Sequence, residues 1–414
     1  MGRTFIEKLI AAHTEGDPHA GDEVELRVDL RTARDAGGAE VVSHFNRSWP
    51  GEPVDDPDRT CFTFDCAGAG GTREATDQQT CRRFAREQGI TVFDVNRGIG
   101  THIAIDEGLV LPGDTVVGTD SHLNIYGAVG ALGLCLEPGA VAAAFRSGTA
   151  RIIVPGTMVV SLRGAPGPAA TVKDIALEVV RTLGPQGARG RVIEYRGEII
   201  ESLTLDQRVT LASMTTEMGG VSAWLEPSAA VLAQVSKANR TREPRVFTPD
   251  PGAAIVEEVT IDLNGLAPKV ALPGSPHHVV DVAEVAGRPI DTAFIGSCTN
   301  GRDSDIELAA RVVGPGPVHP QTLLTVVPAT AGVFGRLWTS GALRALFDAG
   351  AVIRNPGCGG CAPGQAGTSG EGEVQVSSAN RNFHGRQGTG DTYLASPATV
   401  AASALAGRIT VPPA

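Results

Sequence analysis

Short apolar runs that each end in a glycine- or serine-rich loop recur along this chain, and those loops hold its most reactive side chains. Thr115-Val-Val feeds Gly118-Thr-Asp-Ser-His, and Thr292-Ala-Phe-Ile feeds Gly296-Ser-Cys-Thr-Asn-Gly. Ala351-Val-Ile-Arg feeds Asn355-Pro-Gly-Cys-Gly-Gly-Cys. Apolar runs this short, bounded by turn residues, read as buried strands. They alternate with helical segments such as Asp77–Gln88 and Asp303–Val313, so the expected class is α/β, with helices layered on sheets. In open α/β sheets, ligands collect beyond the carboxyl ends of the strands. The pattern therefore constrains the fold and points to the loops that carry chemistry.

At 414 residues the chain exceeds the usual size of a single core. Composition shifts around Gly164-Ala-Pro-Gly-Pro, and a second clear α/β run begins at Asp291, giving expected domains at 1–160, 161–285 and 286–414. Glu23–Leu30, Thr60–Phe64 and Asp114–Gly118 are expected strands, and Thr171 to about Val235 is expected to carry helical segments, with a mixed strand-rich region after it. The net charge of −11 argues against a nucleic-acid partner, which would need clustered positive charge. The longest apolar run, Ile125–Leu136, is too short to cross a membrane, and the start of the chain lacks a secretory core. Cytoplasm is the expected compartment, with the seven cysteines reduced.

Cys298, Cys358 and Cys361 offer one site three thiolates and no obvious fourth partner. Structural zinc and simple electron-transfer iron–sulfur centres usually take four protein ligands. Three ligands and a vacancy suit a metal centre that binds substrate. The same residues also fit small buried hydrophobes, or a redox disulfide within the Cys358–Cys361 pair. A second constellation is His102, Asp120 and His122, where carboxylate–imidazole pairs would tune a proton-transfer group; satisfied structural histidines are the competing reading. Arg381 and Arg386 in Asn380-Arg-Asn-Phe-His-Gly-Arg suit bidentate recognition of a polycarboxylate, or else are simply solvated. His277-His278 reads as a partly exposed loop pair.

Taken in order, Phe84-Ala-Arg-Glu-Gln-Gly-Ile, Pro112-Gly-Asp-Thr-Val-Val-Gly-Thr-Asp-Ser-His, Phe294-Ile-Gly-Ser-Cys-Thr-Asn-Gly-Arg, Ser378-Ala-Asn-Arg-Asn-Phe-His-Gly-Arg-Gln-Gly and Tyr393-Leu-Ala-Ser-Pro-Ala resemble the aconitase superfamily. Within it they are most similar to the large subunits of 3-isopropylmalate dehydratase and homoaconitase. The resemblance implies a three-domain α/β large subunit built around a central cluster and lacking the swivelling fourth domain. It implies a 4Fe–4S cluster held by Cys298, Cys358 and Cys361 with one open iron, and a hydro-lyase/isomerase acting on a hydroxy-polycarboxylate of substituted-malate type. By the same match, Asp65, His102, Asp120, His122 and Glu217 are catalytic, with His102 paired to Asp120 and His122 to Glu217. Arg381, Arg386 and Ser121 bind substrate, and Asn380 lies beside the cluster. No Gly-Ser-Ser-Arg segment occurs, so a separate small subunit is expected to carry the swivelling domain and the proton-abstracting Ser.

The chain also departs from the family pattern. Cys66 stands at an expected His and is followed by Ala67-Gly-Ala-Gly-Gly; Arg34, Leu123, Ser213 and His384 are further differences. They fit a site retuned for an unusual substrate, with Arg34 adding a cation for an extra acidic group. They also fit a non-catalytic or redox iron–sulfur protein on the same fold, and Cys66 as a fourth ligand is a third reading.

Overall fold

The computed structural model describes residues 2–66, 71–362 and 364–414; the Ala67–Gly70 part of the unusual glycine segment lies outside the described residues. Among the described residues, the first sheet has five parallel strands, in the order Thr91–Phe93, Thr60–Thr63, Leu30–Arg34, Thr115–Gly118 and Leu132–Cys135. A two-stranded antiparallel ribbon, Glu23–Arg27 with Thr149–Ile153, lies beside it. A four-stranded parallel sheet runs Ser222–Leu225, Arg191–Arg196, Gly156–Arg163 and Glu257–Asp262. The third sheet has seven strands. Its parallel part is ordered Asp391–Ala395, Val374–Ser377, Thr292–Ile295, Leu323–Val326 and Val352–Ile353.

Parallel sheets need both faces covered, so their central strands are buried, while an edge strand such as Glu257–Asp262 stays largely exposed. Thr60–Thr63, Thr115–Gly118 and Thr292–Ile295 are buried at every position. The helices meet the sheets through apolar stripes. In Val172–Leu183, for example, Ile175, Ala176, Val179 and Val180 are buried at helical spacing. That helix is started by a capping box between Thr171 and Asp174.

Strand order positions the site. In the first sheet the chain moves outward from Leu30–Arg34 in one direction and from Thr115–Gly118 in the other, so a crevice opens between their carboxyl ends. The third sheet repeats this between Thr292–Ile295 and Val374–Ser377. Arg34 and Asp120 emerge at the first crevice, Cys298 and Asn380 at the second.

The stretch from Thr171 to about Val235 carries the expected helical segments, Val172–Leu183 and Leu205–Ser213 among them, and two strands the sequence did not show: Arg191–Arg196 and Ser222–Leu225 belong to the second sheet. Residues 269–281 supply Lys269–Ala271 and Val279–Asp281 to the third sheet, ahead of position 286.

Candidate active site

Cys298 is placed by a sharp exit from its strand. Ser297 has φ 75°, a left-handed conformation that is uncommon outside glycine, and its Oγ accepts the Thr299 N–H at 3.2 Å. Cys358 and Cys361 flank Gly359 and Gly360, where side chains do not fit. A Cβ on Gly359 would lie 2.8 Å from the Phe294 ring, and one on Gly360 would lie 2.4 Å from the Gly367 carbonyl oxygen. The backbone between the two cysteines is thus pressed onto the third sheet.

All three cysteines are buried, and they line one narrow cavity with Arg34, Cys66, Asp120, His122 and Arg386. Cys361 Sγ donates to Asn380 Oδ1 at 2.9 Å, and Asn380 Nδ2 lies 3.6 Å from Cys298 Sγ. Burial pushes the Cys298 and Cys361 thiols up; for Cys358 the contact with Cys66 does so first, and burial second. Three soft donors raised in this way and facing one cavity fit a thiophilic metal centre, whose charge would favour the thiolate forms.

His122 stands at the centre of the proton-handling groups. Its Nε2 hydrogen-bonds Asn380 Nδ2 and lies 3.5 Å from Glu217 Oε1; its Nδ1 is 3.2 Å from Ser121 Oγ and 3.9 Å from Asp120 Oδ1. Burial lowers the His122 pKa. Burial works to raise Glu217, but the His122 hydrogen bond and Arg381, whose Nε donates to Oε1 at 2.7 Å, hold it below the usual carboxylate range. Arg381 Nη1 also reaches Ser121 Oγ at 3.4 Å. Arg386 differs from Arg381. It borders the cavity, its buried Nε has no hydrogen-bond partner, and no carboxylate among the described residues pairs with it. It is the cation in the cavity whose charge is not taken up by a neighbouring carboxylate.

The expected pairing of His102 with Asp120 does not occur. The fully buried His102 ring sits with Nε2 3.0 Å from the Cys298 carbonyl oxygen and Nδ1 3.2 Å from Arg302 Nη1. Burial first, and Arg302 second, depress its pKa to about 4, so the ring is neutral at pH 7. Asp120 instead accepts from Arg34 Nη1 at 2.9 Å and from the His122 N–H at 3.0 Å. Asp65 accepts from Arg34 Nη2 at 2.6 Å and from the Gly100 N–H at 2.9 Å; burial, only partly offset by Arg34, raises it to about 6. Arg34 is therefore not a spare cation for an extra acidic group, because two buried carboxylates already neutralise it.

Unlike Arg34, three other departures lie away from the cavity wall. Leu123 is core, Ser213 Oγ is turned to Thr210 O and Thr299 Oγ1, and His384 is exposed. His277 is fixed by the Glu217 carbonyl oxygen at 2.7 Å from its Nε2. Cys66 does line the cavity, with its sulfur 3.8 Å from Cys358 Sγ.

Sequence reasoning missed Lys173. Its ammonium is buried and donates to the Ser378 and Ala379 carbonyl oxygens at 3.1 and 2.8 Å, with no carboxylate in salt-bridge reach among the described residues. The signal was a lysine on the apolar stripe of its helix, three and seven residues before Ala176 and Val180.

Two α/β crevices that bring soft thiols, a histidine with its carboxylates and an unpaired arginine to one cavity define a class of metal-dependent α/β enzyme. The aconitase family (aconitate hydratase) pattern matches residues 26–289 and 283–407, and the chain belongs to that family. It is accordingly a hydro-lyase, and the family implies an iron–sulfur cluster. The chain is 39% identical over 416 residues to 3-isopropylmalate dehydratase large subunit 1 of Methanopyrus kandleri, covering 100% of this chain and 99% of the relative. It is 40% identical over 418 residues to the homoaconitase large subunit of Thermus thermophilus, covering 100% and 98%. The crystal structure of Thermococcus kodakaraensis aconitase X (holo-form) is similar in fold alone, with TM-score 0.51, 14% identity and coverage of 86% of this chain and 84% of that one. No helix among the described residues is long and apolar enough to cross a membrane.

Proposed function

We propose that this chain is the cluster-bearing large subunit of a hydro-lyase/isomerase that moves a hydroxyl between adjacent carbons of a substituted-malate di- or tricarboxylate. The observation that carries the reading is the convergence of Cys298, Cys358 and Cys361 with the unpaired Arg386 on one cavity. Full-length similarity to proteins named 3-isopropylmalate dehydratase and homoaconitase large subunits supports the substrate class and a separate small subunit.

Cys298, Cys358 and Cys361 would hold a 4Fe–4S cluster, which when bound supplies a Lewis-acidic iron that stabilises a departing hydroxide. Arg386 presents an unshared guanidinium to a substrate carboxylate, and Arg381 with Ser121 lines the adjoining outer cavity that Arg386 also borders. Neutral His122 accepts or returns a proton at Nε2, with Glu217 close enough to stabilise the imidazolium. Asn380 orients that ring while contacting two of the cysteines. Arg34 pairs with the buried carboxylates of Asp65 and Asp120 and fixes both beside the cavity. His102, remote from Asp120, is a positioning residue behind Cys298.

A second reading, a non-catalytic or redox iron–sulfur protein, is favoured by Cys66, a thiol at the place of an expected proton donor. Anaerobic purification with iron and sulfide analysis, with and without a co-expressed small subunit, separates the two. Cluster spectra that respond to hydroxy-dicarboxylates, together with turnover only in the presence of the small subunit, are expected. A bound cluster indifferent to every such acid would overturn the dehydratase reading.

A further inference from the structure

Cys66 and Cys358 are 292 positions apart in the chain, yet their sulfurs are 3.8 Å apart. The spacing is set by backbone: the Cys358 N–H donates to the Asp65 carbonyl oxygen at 3.2 Å, which joins the two segments directly beside both thiols. Arg34 reinforces it, because its Nη2 donates to both sulfurs. The remaining cavity thiols are turned elsewhere, Cys361 and Cys298 both toward Asn380. Among the described residues Cys66 is thus the thiol in contact with Cys358. The two sulfurs also differ in access. Cys358 is 6% exposed, whereas half-buried Cys66 also borders a wide outer cavity with Arg73, Glu74 and Gln365.

We propose that Cys66 and Cys358 form a reversible disulfide in the cluster-free protein, a modification site that locks one cluster ligand until a thiol reductant releases it. The role as a lock rests on the cluster reading above. Hydrogen peroxide oxidises the accessible Cys66 thiol to a sulfenic acid, releasing one water. The Cys358 sulfur then attacks the Cys66 sulfur, forming the S–S bond as the S–O bond breaks and a second water leaves. With the cluster bound, Cys358 is occupied and the pair does not form. The exchange shields a cluster ligand from irreversible oxidation during the interval in which it is bare.

The test is chemical and needs no turnover. The cluster-free full chain is treated with one equivalent of hydrogen peroxide, its free thiols are counted, and cross-linked peptides are fragmented under non-reducing conditions. Loss of two of the seven thiols is expected, with a bond joining Cys66 to Cys358. The bond should persist in Cys361→Ser and vanish in Cys66→Ser, whose thermal melting reports on the fold. The oxidised wild type should take up iron and sulfide only after a dithiol is added, whereas oxidised Cys66→Ser should load without it. A Cys358–Cys361 bond, no bond, or equal loading of the oxidised and reduced wild type would overturn the proposal. If the reduced chain and its Cys66→Ser variant load no cluster at all, the cluster reading fails, while the presence or absence of the bond is still decided by the fragments.

Discussion

Arg34 Nη2 lies 3.2 Å from Cys358 Sγ although 324 positions separate the two residues, so the end of one first-sheet strand closes onto the cysteine loop of the third sheet. The same guanidinium holds Asp65 and Asp120, which makes it the central charge of the junction.

Replacing Arg34 with Leu leaves two carboxylates buried without their cation, a change that typically destabilises by about 3–5 kcal/mol. Both carboxyl pKa values then rise in the folded state. The deficit is fully present above those raised values and shrinks as pH falls toward the unfolded carboxylate range near 4. Urea unfolding of Arg34→Leu at pH 7 and pH 5 should show the smaller deficit at pH 5; a deficit independent of pH would show that charge is not the cause.

Arg302 ties three regions together: Nε to Asp206 at 2.5 Å, Nη2 to Asp106 at 2.7 Å and Nη1 to His102 at 3.2 Å. Arg302→Met should lose about 3–5 kcal/mol by the same logic. Because the Cys298 loop rests on His102, cluster content should fall with it, which iron analysis reads alongside the melt.

Lys173 has its pKa depressed to about 8, because burial outweighs the attraction of Cys298 and other groups. Between about 8 and the unfolded value of 10.5 the unfolded chain binds more protons, so stability rises with pH across that window. In the cluster-free protein, wild type should gain on Lys173→Met by on the order of 3 kcal/mol from the lower to the upper end of it. Denaturant titrations of both proteins at several pH values measure the difference; parallel profiles would refute the assignment.

Arg386→Ala removes the unshared guanidinium and should raise KM for a dicarboxylate about 10–100-fold, the range of a charged hydrogen bond. Arg386→Lys should recover only part of this, since an ammonium cannot bind a carboxylate in bidentate fashion. Steady-state kinetics with the small subunit present tests both, and an unchanged KM would remove Arg386 from the substrate site.

Gly359→Ala places a methyl 2.8 Å from the Phe294 ring at φ 54°. Overpacking of this kind costs about 1–3 kcal/mol, and the shift should fall on the cysteine loop. Lower iron content at an unchanged far-ultraviolet spectrum is the expected result.

Much of the fold was legible locally. The helix Asp303–Val313 and the strand Thr292–Ile295 fall at their expected bounds, because each is a short run with one clear period and a marked stop. Arg191–Arg196 was not legible, since its charged ends hide a strand that becomes one by parallel pairing with Gly156–Arg163. In the site, the residues that the motifs single out largely converge, and His122 does meet Glu217. His102 breaks the pattern: the expected partner is a matter of which way a buried ring turns, and Arg302 decides it.

The sequence by itself determined the α/β alternation, the three cysteines and the family, because these reside in local periodicity and in ordered motifs. Tertiary structure alone decided the charge state of the site. Only there do Asp65 and Asp120 neutralise Arg34 and leave Arg386 free, and only there does Cys66 touch Cys358. The physical reason is range: strand and helix propensities act over a few residues, whereas ion pairing and thiol contact depend on which strand ends the sheet order makes neighbours.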